Sequence, residues 1–160
     1  MSHTLSEAGL TIDLPSGWEG QIRPASASPP TEAARPAAIT TDLAVLHVAS
    51  FALPPGRGDY GSGAVEGMGP ADILVCLLEH HPDEVDQPLF ARHGTPRLLP
   101  QLFSPSQMQR TIAGMAGAQQ FFQSEHRTFC LYVVLGSFRS RAPLARTADE
   151  ITRTLVVTPR

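Results

Sequence analysis

Leu10, Ile12 and Leu14 alternate with Thr11 and Asp13, and a period of two puts one face of a strand in a core and the other in water. Pro15-Ser16-Gly17 supplies turn chemistry, and Trp18 to Ile22 continues as a second extended piece. The two are predicted to form an opening hairpin. Leu43 to Leu53 is again rich in alternating apolar residues and ends at Pro54-Pro55-Gly56, which makes it the third predicted strand. Ile73 to Leu78 is apolar without interruption, the pattern of a strand covered on both faces, and is placed at the centre of a sheet. Thr128 to Leu135 is the most strand-like stretch of the chain. Ser124 to Arg127 can turn the chain between it and a strand at about Ala118 to Gln123, so these two are expected to pair as a hairpin.

Helical signals are fewer. Ser104-Pro105-Ser106-Gln107 has a Ser cap, Pro at the first helical position and Gln at the third, and Met108, Ile112 and Met115 extend it as a stripe that Gly114 and Gly117 weaken. A short helix of two turns or so is expected there. Thr147-Ala148-Asp149-Glu150 has the form of a capping box, so a C-terminal helix is expected to start at Thr147 and to bury Ala148, Ile151 and Leu155, with Val156-Val157 leaving it as a last short strand. Pro24 to Thr40 is mostly Pro, Ala, Ser and Thr, too poor in large apolar groups to offset its ordering entropy, and is expected to be a mobile loop. Arg57 to Pro70 reads as a glycine-rich loop with at most one helical turn. These elements imply an α+β fold in one domain spanning 1–160.

Composition alters this picture little. A hydrophobic fraction of 42% supports a real core without disulfide or metal. Net charge is −3, and the 12 basic residues, all Arg, are scattered apart from Arg139 and Arg141, which argues against a nucleic-acid partner. The sequence from Met1 to Glu7 lacks the basic and apolar regions of a signal peptide, and no apolar run approaches bilayer length, so a cytoplasmic protein with no membrane span is expected. Cys76 and Cys130 sit inside apolar runs and are expected to be buried, reduced and unbridged.

Each candidate for chemistry meets a plainer explanation. Gly61-Ser62-Gly63-Ala64-Val65-Glu66-Gly67 superficially resembles a phosphate loop, but Pro54-Pro55 interrupts the strand exit, Gly69-Pro70 stops any helix, and the chain contains no Lys. Arg57-Gly58-Asp59 spells the integrin-recognition tripeptide and is expected to be an ordinary turn. Glu79-His80-His81 with Asp83 and Glu84 is the one local cluster of possible metal ligands; neighbours on a strand diverge, so a solvated acidic turn is favoured, and His47 or His126 could join it only through folding. The buried cysteines disfavour a thiolate nucleophile, no Gly-x-Ser-x-Gly is present, and the carboxylates Asp83, Glu84 and Asp86, or Asp149 and Glu150, fit turn and cap duties. Trp18 is expected to pack rather than to stack a ligand. No residue is therefore assigned to catalysis, a cofactor or a metal.

The order of parts, with Leu14-Pro15-Ser16-Gly17-Trp18 at the opening turn, a late hairpin ending in Thr128 to Leu135, a capped helix and a final Leu155-Val156-Val157, resembles the PsbP-like superfamily, which includes the Mog-type Ran-binding proteins. The resemblance implies an antiparallel sandwich flanked by helices and an accessory, adaptor or chaperone role, and it transfers no contact residue. The leading expectation is a non-catalytic binding or adaptor module for an unidentified protein partner. A carrier of a small apolar ligand and a small hydrolase are the alternatives.

Overall fold

Short apolar runs separated by turn residues fold here into two antiparallel sheets. The computed structural model describes residues 2–25 and 43–160. Strands β1 (His3–Glu7), β2 (Leu10–Leu14) and β8 (Val156–Val157) form a three-stranded sheet in the order β1-β2-β8. Strands β3 (Glu19–Pro24), β4 (Ala44–Ala49), β5 (Ile73–His80), β6 (Ala116–Ser124) and β7 (Arg127–Leu135) form a five-stranded sheet in the order β3-β4-β5-β7-β6. Helix α1 (Arg141–Thr152) packs on β2, β5 and β7.

The alternation of β2 is realised as expected: Leu10, Ile12 and Leu14 join a core between the sheets with Leu46, Val75 and Leu131. Its partner differs from the expected one. β2 pairs with β1 through the turn at Ala8-Gly9, and Pro15 to Trp18 carries the chain from the small sheet to the large one, where β3 pairs with β4. The β1–β2 turn has positive φ at both central residues, 55° at Ala8 and 76° at Gly9, the twist that two-residue hairpins require. A side chain at Gly9 would collide with Arg127 as well as strain the backbone.

β5 occupies the centre of the large sheet, buried from Ile73 through Glu79, and β6 and β7 form the expected hairpin. The opposite face of this sheet is a second core, Leu74, Cys76, Cys130 and Tyr132 among its members, roofed by Ala64, Val65, Met108 and Met115 from the two long loops. Both cysteines are buried and unbridged.

The α+β arrangement of a sheet flanked by helices is overturned: the chain is mostly β, with eight strands and one α-helix among the described residues. The segment after Ser104 makes only a 3-10 turn at Pro105–Gln107, with the Ser104 hydroxyl accepting from the Ser106 amide. Met108 is already extended, and Ser104 exchanges two backbone hydrogen bonds with Gly117 on edge strand β6, so sheet pairing displaces the helix. Proline likewise opens the 3-10 turns at Pro82, Pro88 and Pro100, none followed by the apolar stripe that would propagate a helix.

The predicted capping box is interior to α1. The helix starts six residues earlier, at Arg141, since Pro143 is tolerated in a first turn; the Thr147 hydroxyl donates to the Pro143 carbonyl instead of capping. Ala148 and Ile151 are buried as expected, Leu155 packs on the core from beyond the helix end, and Val156-Val157 forms the short strand. The strand expected from Leu43 to Leu53 covers only Ala44–Ala49. Of the expected mobile loop at 24–40, Pro24 ends β3 and the Ala25 amide donates to the Leu43 carbonyl; its remainder lies outside the described residues. No helix among the described residues is long and apolar enough to cross a membrane.

Candidate functional site

The strand registers align one residue from each strand of the large sheet. Gln21 faces His47, His47 faces Cys76, Cys76 faces Tyr132 and Tyr132 faces Gln119, so a row of polar or titratable side chains crosses the face roofed by the loops. Its middle is sealed: burial pushes the Cys76 and Tyr132 pKa values up, and both groups stay neutral. Its β3 end opens to the surface.

There the glycine-rich loop folds back on the sheet. Gly61, at φ 86°, lies so close to β5 that a Cβ would meet Leu74 Cδ2 at 2.5 Å, and the Gly58 amide donates to the Ser62 carbonyl. These glycines let backbone press against strands; they do not cradle a phosphate. The loop's descent drives Arg57 inward until only 5% of it is exposed, so Arg57-Gly58-Asp59 is not displayed for recognition.

Arg57 Nε donates to His47 Nδ1 at 2.7 Å, one terminal nitrogen donates to the Pro54 carbonyl at 2.9 Å, and the other donates to Gln21 Oε1. His47, fully buried, therefore carries its proton on Nε2 and donates it to the Asp59 carbonyl at 2.7 Å. Burial pushes the imidazole down to about 4, helped by the Arg57 and Arg23 charges and opposed by the bond to Asp59. Burial, then the nearby Arg23 charge, also lowers the Arg57 pKa. Arg23 donates to the Arg57 carbonyl and to Asp59 Oδ1, both at 3.0 Å, and the Glu19 carboxylate accepts from the Leu53 amide. Glu19, Gln21, Arg23, Leu53, Pro55 and Arg57 wall a recess of about 380 Å³.

The acidic-histidine cluster does not converge. Glu79 points to the inter-sheet side, where it accepts from Arg127 Nε at 2.9 Å, from Arg160 and from the Ala44 amide. Burial alone would raise its pKa, but these donors bring it below the ordinary carboxylate value. His80 sits on the opposite face, 3.2 Å from Glu84 and packed against Phe90 and Phe121, and His81 accepts from the Asp83 amide at the end of the strand. His47 and His126 join neither, and among the described residues no group of three or more His, Cys, Asp or Glu could hold a metal ion. Asp149 is buried rather than placed at a helix start, accepting from the Leu98 amide at 2.8 Å and pairing with Arg97 and Arg153; Glu150 and Asp86 are exposed. Trp18 packs on the core.

Sequence reasoning missed the pairing of Arg57 with His47 and the recess beside it. The signals present were a lone His in an apolar strand and the polar alternation Glu19, Gln21, Arg23. No protein-family model, no curated protein and no solved structure matches this chain.

Proposed function

We propose that this chain is a non-catalytic binding or adaptor module for a protein partner, and that the recess at the β3 edge belongs to its contact surface. The observation that carries the reading is the state of Arg57: a guanidinium held on a surface recess by neutral acceptors, rigid and in position before any partner arrives. Preorganised polar groups of this kind favour recognition because little side-chain freedom remains to be lost. The neighbouring titratable groups suit holding rather than proton transfer. His47 has both ring nitrogens engaged and a strongly lowered pKa, and Cys76 is sealed beneath the loop. Contact by a broad apolar patch has little support, since the large apolar side chains exposed among the described residues are Leu89, Leu99 and Val156, on separate elements. The carrier alternative needs an apolar cavity of roughly 300 Å³ or more; the recesses beside Ile22 and beside Tyr60 measure about 90 and 110 Å³, and the larger ones along α1, about 340 and 290 Å³, include charged residues in their walls, Arg97, Arg146 and Asp149 in one and Asp13 and Glu150 in the other.

Site-specific photo-crosslinking in the native cell tests the reading. A benzoylphenylalanine at Pro55, on the recess wall, should give a discrete protein adduct that one at Glu125, on the β6–β7 turn, does not. Equal labelling from both positions, or none from Pro55, would refute it.

A further inference from the structure

The recess has donors left over, and they are of one chemical kind. A guanidinium carries five N–H donors; three of those on Arg57 are engaged, which leaves one N–H on each terminal nitrogen. Every acceptor those three meet is neutral: an imidazole nitrogen, a backbone carbonyl and an amide oxygen. A buried guanidinium ordinarily sits against a carboxylate, and the other buried arginine among the described residues, Arg127, does so through Glu79. Among the described residues, the two carboxylates near Arg57 are committed elsewhere, Glu19 to the Leu53 amide and Asp59 to Arg23. Arg23, on the same recess wall, has a buried Nε without a hydrogen-bond partner.

We infer that the recess between Arg57 and Arg23 binds a carboxylate, presented by an acidic residue of the protein partner. Its two oxygens accept from the terminal nitrogens of Arg57 in the fork geometry that guanidinium and carboxylate share, and Arg23 on the same wall adds a second positive charge. The charge balance selects a monoanion. Among the described residues, Arg57 is the one cation of the recess without an acidic partner, and Glu19 on the wall opposes a dianion such as phosphate. This assignment rests on the reading of the chain as a binding module.

Nitrogen-15 labelling of the arginines in the full chain gives the readout, because the Nε–H signals of Arg57 and Arg23 report directly on the recess. The probes are sodium acetate, sodium phosphate, and a capped Gly-Glu-Gly tripeptide beside its Gly-Gln-Gly counterpart, each at ionic strength matched with sodium chloride. Acetate and the Glu peptide should shift both signals saturably, while phosphate and the Gln peptide should not. Tighter binding of the peptide than of acetate assigns the carboxylate to a protein; acetate binding at least as tightly overturns that source. Gln21→Glu places an internal carboxylate where Gln21 already accepts from Arg57. It should raise the melting temperature and weaken acetate binding by about tenfold or more. No saturable shift, a stronger response to phosphate, or unchanged acetate binding in Gln21→Glu would overturn the inference. The outcomes separate the two proposals: an adduct from Pro55 without carboxylate binding refutes this inference alone, and the absence of that adduct refutes the binding-module reading.

Discussion

His47 is held far from its ordinary titration range by its surroundings. In the unfolded chain its imidazole titrates near the ordinary 6.5, and in the folded chain near 4. Between these values the unfolded state binds the extra proton, so stability is complete above the higher value and falls as pH drops toward the lower, by up to about 3 kcal/mol. Urea midpoints measured from pH 7 to 4 should show that fall, and His47→Gln should flatten it while lowering stability throughout, because Arg57 Nε loses its acceptor. Glu79, whose pKa is lowered, contributes its own loss at lower pH, below the ordinary carboxylate value of 4.5. A second residue-level effect lies in the β6–β7 turn. Glu125 and His126 hold φ of 53° and 60°, a left-handed conformation costly for side chains that branch from the backbone. Replacing the exposed pair with Asn-Gly should raise stability by about 1 kcal/mol in thermal or urea melts.

In α1 the energetic weight lies on its inward face, not on the capping box read from the sequence. Thr147 bonds only within its own helix, so Thr147→Ala should change stability by less than about 0.5 kcal/mol. Ile151 lies in the core between the sheets, and Ile151→Ala should cost about 2 to 5 kcal/mol. Asp149 is the polar anchor: it satisfies the Leu98 amide and holds Arg97 and Arg153, so Asp149→Ala should cost about 1 to 3 kcal/mol by leaving a buried amide unpaired. Chemical denaturation of the three variants should rank them Ile151, Asp149, Thr147. A larger loss from Thr147 than from Asp149 would mean the helix start is wrongly placed.

The two sheets are joined by one buried polar node as well as by the core. Arg127, fully buried, pairs with Glu79 on β5 while its terminal nitrogens donate to the Thr158 carbonyl beyond β8 and the Ala8 carbonyl of the β1–β2 turn. Removing Arg127 takes two charge-assisted hydrogen bonds from Glu79, which keeps Arg160 and the Ala44 amide, and leaves the Thr158 and Ala8 carbonyls without this donor, so Arg127→Met should cost about 2 to 4 kcal/mol. Hydrogen exchange should then quicken first in β1, β2 and β8, whose attachment is lost, before β5 and β7. Uniform acceleration across both sheets would mean that the node does not hold the small sheet in place.

Local chemistry sufficed for whatever depends on neighbours in the chain. The alternation of β2, the apolar run of β5, the β6–β7 hairpin and the interior position of both cysteines were all legible, because side-chain period and flanking turn residues act within a few positions. The same local signals misled where a distant partner intervened. Ser104 to Gln107 has a helix start, yet the chain there is drawn out by pairing with Gly117, and the capping box at Thr147 lies inside a helix that begins at Arg141, where Asp149 meets the distant Leu98 amide and the Thr147 hydroxyl bonds the Pro143 carbonyl. Beyond the β6–β7 hairpin, which strand meets which was equally hidden, since β2 has a face to bury but nothing in its residues names β8 as a neighbour. The recess is the extreme case. Arg57 meets His47 across 10 residues of chain and Gln21 across 36, and nothing in the residues beside Arg57 records that the loop will fold back and press it against the sheet. Its burial, its neutral partners and its spare donors come from strand register and loop closure, which are properties of the folded chain.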